Sequence, residues 1–164
     1  MIWMREIILL IHILLAIVWA GGIMFIGWGV YPASMKLSLS IQRQFLITLM
    51  KWSHHFLTLA GFFVVLTGII LGTVLGPIHS WNMLWNTDYG NTWLTALGIG
   101  IFTLLWGIFI GYREMMHIFT DDFLWKEAEN GNKRPLIREL VRLAALESVE
   151  VISFVVLIYL MISF

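Results

Sequence analysis

The chain has 164 residues, 60% of them hydrophobic and 12% charged, and it has no cysteine. Soluble domains carry about 45–50% apolar and about 25% charged residues, so composition alone points to a membrane protein, and the length allows one compact bundle. A formal net charge of zero gives no reason to expect nucleic acid as a partner. The lack of thiols excludes disulfides, iron–sulfur clusters and thiolate zinc sites, so His, Met, Glu, Asp or backbone groups must hold any metal.

A helix needs about 20 apolar residues to cross the hydrocarbon core. Four stretches qualify, at roughly 7–30, 54–76, 92–117 and 147–164. The first is too long for a signal peptide and lacks an A-x-A site with a polar follow-on. The segment 41–53, "IQRQFLITLMKWS", reads as an amphipathic extension of the second span. Segment 119–134, with "ENGNKRP", reads as a flexible loop. "PLIRELVRLAALESVE" reads as a helical lead-in to the fourth span, with Pro135 in its first turn.

Lys36, Arg43 and Lys51 lie between spans one and two, and Arg113, Lys126, Lys133, Arg134, Arg138 and Arg142 at or between the ends of spans three and four. The 77–91 connection has no Lys or Arg. The positive-inside rule therefore expects an all-α, four-transmembrane-helix bundle with both termini outside. Its expected home is a bacterial or archaeal cytoplasmic membrane.

Five histidines fall at two levels. His12 and His79 lie near the outer face, and His54, His55 and His117 near the inner one. At 1.5 Å per residue the levels stand about 20–25 Å apart. Four of the five read equally well as headgroup-level residues bonded to water or lipid. His12 does not, because it interrupts the apolar run "IHILLAIVWAGG", and intramembrane ionisable residues are functional by default.

His54, Gly61 and Gly68 repeat every seven residues, with Gly72 a turn further on, and so line one stripe of span two. Gly107-x-x-x-Gly111 flattens span three, and Gly21, Gly22, Gly27 and Gly29 flatten span one. Such faces suit a planar tetrapyrrole; ordinary small-residue helix packing explains them as well or better. Glu114-x-x-His117 and Glu147-x-x-Glu150 have the spacing of di-iron carboxylate bundles. A full di-iron site needs a second Glu-x-x-His pair, and ion pairing with Arg113 is the simpler expectation. Met1, Met4, Met83 and Met161 offer soft thioethers suited to Cu(I), or plain apolar filling. Trp3, Trp28, Trp52, Trp81 and Trp85 read as interfacial anchors, whereas Trp19 and Trp106 lie deep enough to wall a cofactor pocket or simply to pack.

The stretch with His12, Trp19, Gly21, Gly22 and Pro32 resembles the first span of the CopD-type copper-resistance membrane domain. Thr67 with Gly68, and Tyr89 with Gly90, resemble that family's Thr-Gly and Tyr-Gly elements. The His-x6-Trp opening also resembles the HemJ-type, haem-associated membrane proteins, although Ala96 stands near where a lysine is expected after the Tyr-Gly element.

The leading expectation is a b-type haem protein carrying one or two bis-histidine haems, in electron transfer or a quinone-linked redox reaction. Its candidate cofactor-binding residues are His12, His54, His55, His79, His117, Trp19, Gly61, Gly68 and Arg113. The metal ligands among them are His54 (or His55) with His117, and His12 with His79. A CopD-like copper binder or transporter, and a cofactor-free assembly subunit, are the alternatives. A homodimer is compatible with all three.

Overall fold

The computed structural model describes residues 2–162, and they form helices with no strand among them. In hydrocarbon every backbone polar group needs an internal partner, which a helix supplies from its own chain. Four helices are long and apolar enough to cross a membrane: α1 (Trp3–Ser34), α2 (Leu39–Val74), α4 (Asp88–Thr120) and α6 (Arg134–Ile162). Two short helices join them, α3 (Trp81–Asn86) between α2 and α4, and α5 (Asp122–Glu129) between α4 and α6. The helix α1 packs on α2, α2 on α4, and α4 on α6. Met1, one of the four thioethers read as suited to Cu(I), lies outside the described residues.

The long helices run past the expected apolar spans. The extension from residue 41 is continuous with α2, which starts at Leu39 after the extended Ser38 (φ −61°, ψ 148°). At the α1–α2 corner, Ser34 Oγ donates to the Tyr31 carbonyl at 2.7 Å and accepts from Gln42 Nε2 at 3.4 Å. Both Ser34 and Gln42 are buried, so the pair satisfies polar groups that would otherwise be stranded.

The α3–α4 corner depends on Gly90. Thr87 Oγ1 accepts from Gly90 N at 3.0 Å and donates to the Met83 carbonyl at 2.6 Å. A Cβ on Gly90 would strike the Met83 and Leu84 carbonyl oxygens. Only glycine lets the first turn of α4 lie this close to the backbone of α3.

The expected loop at 119–134 is mostly helix, which corrects the reading from sequence. The α4 helix continues to Thr120, and Asp121 then caps α5 by accepting from Phe123 N (2.8 Å) and Leu124 N (3.2 Å). Gly131, at φ +98°, ends the element. Asn132 N donates to Glu127 O and Gly131 N to Ala128 O, the paired bonds of a Schellman stop. The charged residues are the solvated face of α5, while Trp125 and Ala128 are buried against the bundle. Trp125 Nε1 donates to the Ile118 carbonyl at 3.1 Å.

Arg43 clamps the same corner. Its Nε donates to Phe119 O (2.9 Å), and its Nη2 to Thr120 O (2.8 Å) and Asp122 Oδ1 (2.7 Å). The hydrogen bond and charge of Arg43 hold the Asp122 carboxyl below its ordinary range. That ion pair therefore stabilises the corner at neutral pH and is lost as pH falls through the lowered Asp122 value. The two bonds to carbonyls do not titrate. Arg43→Ala is expected to speed protease cleavage within 121–134 at neutral pH, and acidification alone to speed it less. Equal cleavage of variant and parent would remove Arg43 from this role.

Candidate functional site

Two regions gather polar groups inside the bundle, one towards the α3 end and one towards the α5 end. At the first, His12 of α1 meets Thr67 of α2, with Nδ1 and Oγ1 2.8 Å apart. The Thr67 hydroxyl also lies 2.7 Å from the Phe63 carbonyl and 3.1 Å from that of Val64. Carbonyl oxygens only accept, so with the hydroxyl proton turned back into its own helix Oγ1 accepts from Nδ1–H of the imidazole. In that tautomer His12 carries its proton on Nδ1 and a lone pair on Nε2.

The glycine stripe of α2 is filled by rings of this chain. His12 Cε1 lies 3.3 Å from where a Gly68 Cβ would stand, Trp19 Cε2 2.7 Å from that of Gly61, and the Trp93 indole is seated on Gly72. Trp19 also meets Phe154 edge to face, with centroids 5.0 Å apart. Trp93 Nε1 donates to the Gly68 carbonyl at 3.2 Å, beside the π-helical turn Ile70–Val74. The flat face expected for a tetrapyrrole is thus taken up by helix packing. In α1, a Cβ on Gly22 would press on Leu57, whereas one on Gly21 or Gly27 would meet nothing within 4 Å.

The second region is a cavity of about 300 Å³, the low end of the size range for ligand sites. Trp19, His54, Thr103, Tyr112, Glu147 and Glu150 are among its lining. The His54 ring stacks on Tyr112, with centroids 3.7 Å apart and planes 14° off parallel. Glu150 is only 3% exposed. Its Oε1 lies 2.5 Å from where a Cβ would stand on Gly107, and Glu147 Oε1 2.9 Å from the same point on Gly111. Gly107-x-x-x-Gly111, itself a π-helical turn, is therefore the surface that admits two carboxylates.

Among the described residues the ion pairs are Arg43–Asp122 and Arg142–Glu139. The expected pairing of Arg113 with the acids of spans three and four is not formed, because Arg113 is exposed on α4. Glu147 Oε1 is buried and has no hydrogen-bond partner among the described residues. The remaining candidates sit apart. His117 is exposed and does not join His54 in the cavity wall, and His79 is exposed beyond Pro77. His55 is exposed, with Nδ1 2.9 Å from the Lys51 carbonyl, so His54 is the inward member of the two. No group of three or more His, Asp or Glu suited to a metal occurs among the described residues. Trp106 is held by a bond from Nε1 to Leu146 O (3.3 Å) and lies outside the cavity wall.

Sequence reasoning missed Thr67 as the anchor of His12 and Tyr112 as the partner of His54. A hydroxyl one residue before a stripe glycine was the available signal for the first. Compared with known proteins, the chain matches no family model, no curated protein and no solved structure.

Proposed function

We propose that this chain is a membrane-embedded b-type haem protein in which His12 is an axial ligand. The observation that carries this reading is the Nδ1–Thr67 bond of an intramembrane imidazole, which in the Nδ1–H tautomer would leave a lone pair on Nε2. Metal-bound histidines are held in this way: the second nitrogen donates to a fixed oxygen, which sets both tautomer and ring orientation. The resemblance of the His12–Trp19 segment to haem-associated membrane proteins points the same way. Haem held there would supply one-electron chemistry, with a quinone or a redox protein as the exchange partner.

The chain's own contribution is orientation and shielding. Thr67 fixes the imidazole, Gly68 lets the ring lie against α2, and Trp93 closes the adjoining turn. We place one haem, at the His12 level. The His54 level differs in kind, since His54 stacks on Tyr112 and faces two carboxylates rather than a second histidine.

The test is an absorption spectrum of detergent-purified protein before and after dithionite, with iron and copper measured on the same sample. A Soret band with split visible bands on reduction is expected. His12→Ala should abolish it, and Thr67→Val should weaken haem retention about 10–100-fold, the usual cost of losing an outer-shell partner. Colourless protein that takes up no haem would overturn the reading. Copper bound at His12 without haem would replace it with the copper alternative, for which imidazole is also a suitable ligand.

A further inference from the structure

The cavity holds two acids that no basic side chain among the described residues pairs with. Glu150 is 3% exposed, lines the cavity and has no hydrogen-bond or ion-pair partner among the described residues. Glu147 Oε1 is likewise buried and unbonded. Both carboxylates converge, since Glu147 Oε1 and Glu150 Oε1 come within 2.9 and 3.4 Å of one point above Gly111. An unpaired carboxylate in a low-dielectric interior is costly, and intramembrane acids that lack an internal partner mark the path or site of a ligand.

The walls restrict what that ligand is. Two carboxylates fall short of the three or more ligands a bare metal ion gathers, in keeping with the absence of such clusters among the described residues. The rest of the lining is mostly apolar and includes three aromatic residues, Trp19 and Trp28 from α1 and Tyr112 from α4. Aromatic faces attract cations, most strongly away from water. Trp28 is 70% exposed, so this wall of the cavity reaches the outside of the bundle. Of the basic side chains, His54 alone lines the cavity among the described residues, and its ring is engaged with Tyr112.

We infer that this cavity binds a small organic ammonium ion, with Glu150 and Glu147 as its counter-charges and Trp19, Trp28 and Tyr112 as its walls. The site is independent of haem at His12, and its test does not require haem.

The experiment is calorimetric titration of the purified full chain with benzylammonium chloride, and with benzyl alcohol as a neutral probe of similar shape. Saturable binding of benzylammonium is expected, at least tenfold tighter than that of the alcohol. Glu150→Gln and Glu147→Gln should each weaken it at least tenfold, while Arg142→Gln, on the outer side of α6, should leave it unchanged. The comparison of two probes on the parent chain stands even if a Gln variant fails to fold. Equal affinity for both probes, no binding of benzylammonium, or a Glu150→Gln variant that binds benzylammonium as tightly as the parent would overturn the inference. An infrared carbonyl band from a protonated carboxyl, lost in Glu150→Gln and unchanged by added benzylammonium, would also overturn it by showing that a proton occupies the pair instead.

Discussion

Trp125→Ala is expected to cost about 3–5 kcal/mol, the usual range for removing a fully buried tryptophan. Trp125 is 1% exposed and sits in the core cluster with Leu46, Met50 and Ile118. Its indole N–H also satisfies the Ile118 carbonyl near the end of α4, so truncation opens a void and strands an acceptor together. Because Trp125 ties α5 to both α2 and α4, the loss should appear twice. The unfolding midpoint in denaturant should fall, and residues 121–134 should become rapidly cleavable in protein that is still folded. Trp52→Ala, at an exposed position on α2, is the control and should leave both readings in place. A normal midpoint with Trp125→Ala would mean that α5 is not part of the cooperative unit.

The second large effect is expected at Gly61. A Cβ there would stand 2.7 Å from Trp19 Cε2, 2.9 Å from Trp19 Cδ2 and 3.0 Å from Leu104 Cδ1. The indole cannot retreat easily, since Trp19 is buried and already edge-on to Phe154. Gly61→Ala should therefore destabilise by about 1–3 kcal/mol through overpacking. Gly98 has nothing within 4 Å of a Cβ. Gly98→Ala should instead be neutral or stabilise by up to about 1 kcal/mol, since alanine suits a helix interior better than glycine. Thermal melts of the two variants beside the parent chain make the comparison. The same shift in both variants, or no loss of stability from Gly61→Ala, would show that α1 and α2 are not locked at this level.

These two residues also show how far the sequence could be read. The four apolar helices were legible, because a stretch of hydrocarbon thickness leaves a continuous pattern in any frame. The stripe through His54, Gly61 and Gly68 was legible as a face for the same reason. Its occupants were not. Spacing along α2 shows where room exists, but Trp19, His12 and Trp93 come from other helices, and which ring reaches which glycine depends on helix offsets that no local pattern records. The short helix carrying Trp125 was hidden differently. Eight residues bearing four charges give too little apolar periodicity to stand out from a loop, and its buried face consists chiefly of one tryptophan and one alanine.

The acids of α6 were seen at the right spacing and assigned the wrong partner. Arg113 lies close in sequence to Gly111 and Tyr112, which line the site or border it, yet it leaves α4 on the exposed side. A difference of one or two positions on a helix is enough to separate a cavity wall from a lipid- or water-facing surface. Thr67 was visible only as a neighbour of Gly68; that its hydroxyl meets the His12 ring follows from the distance between them.

The widened turns at Ile17–Gly21, Ile26–Val30, Ile70–Val74 and Gly107–Gly111 have a bearing on ancestry. Each takes in about one residue more than an ordinary turn, so everything beyond it is rotated by about 100° relative to an unbroken helix. Chains that share this architecture need not share its residue count within a span. One that gained or lost a residue at such a turn would keep its two flanking faces only by widening or tightening that turn. Comparisons that forbid gaps inside transmembrane segments will set Tyr112 against the wrong residue of such a chain. Two relatives of this kind could therefore look unrelated while keeping the same contacts, and alignment of helix faces, with single-residue gaps permitted at these four places, is the appropriate way to trace the lineage.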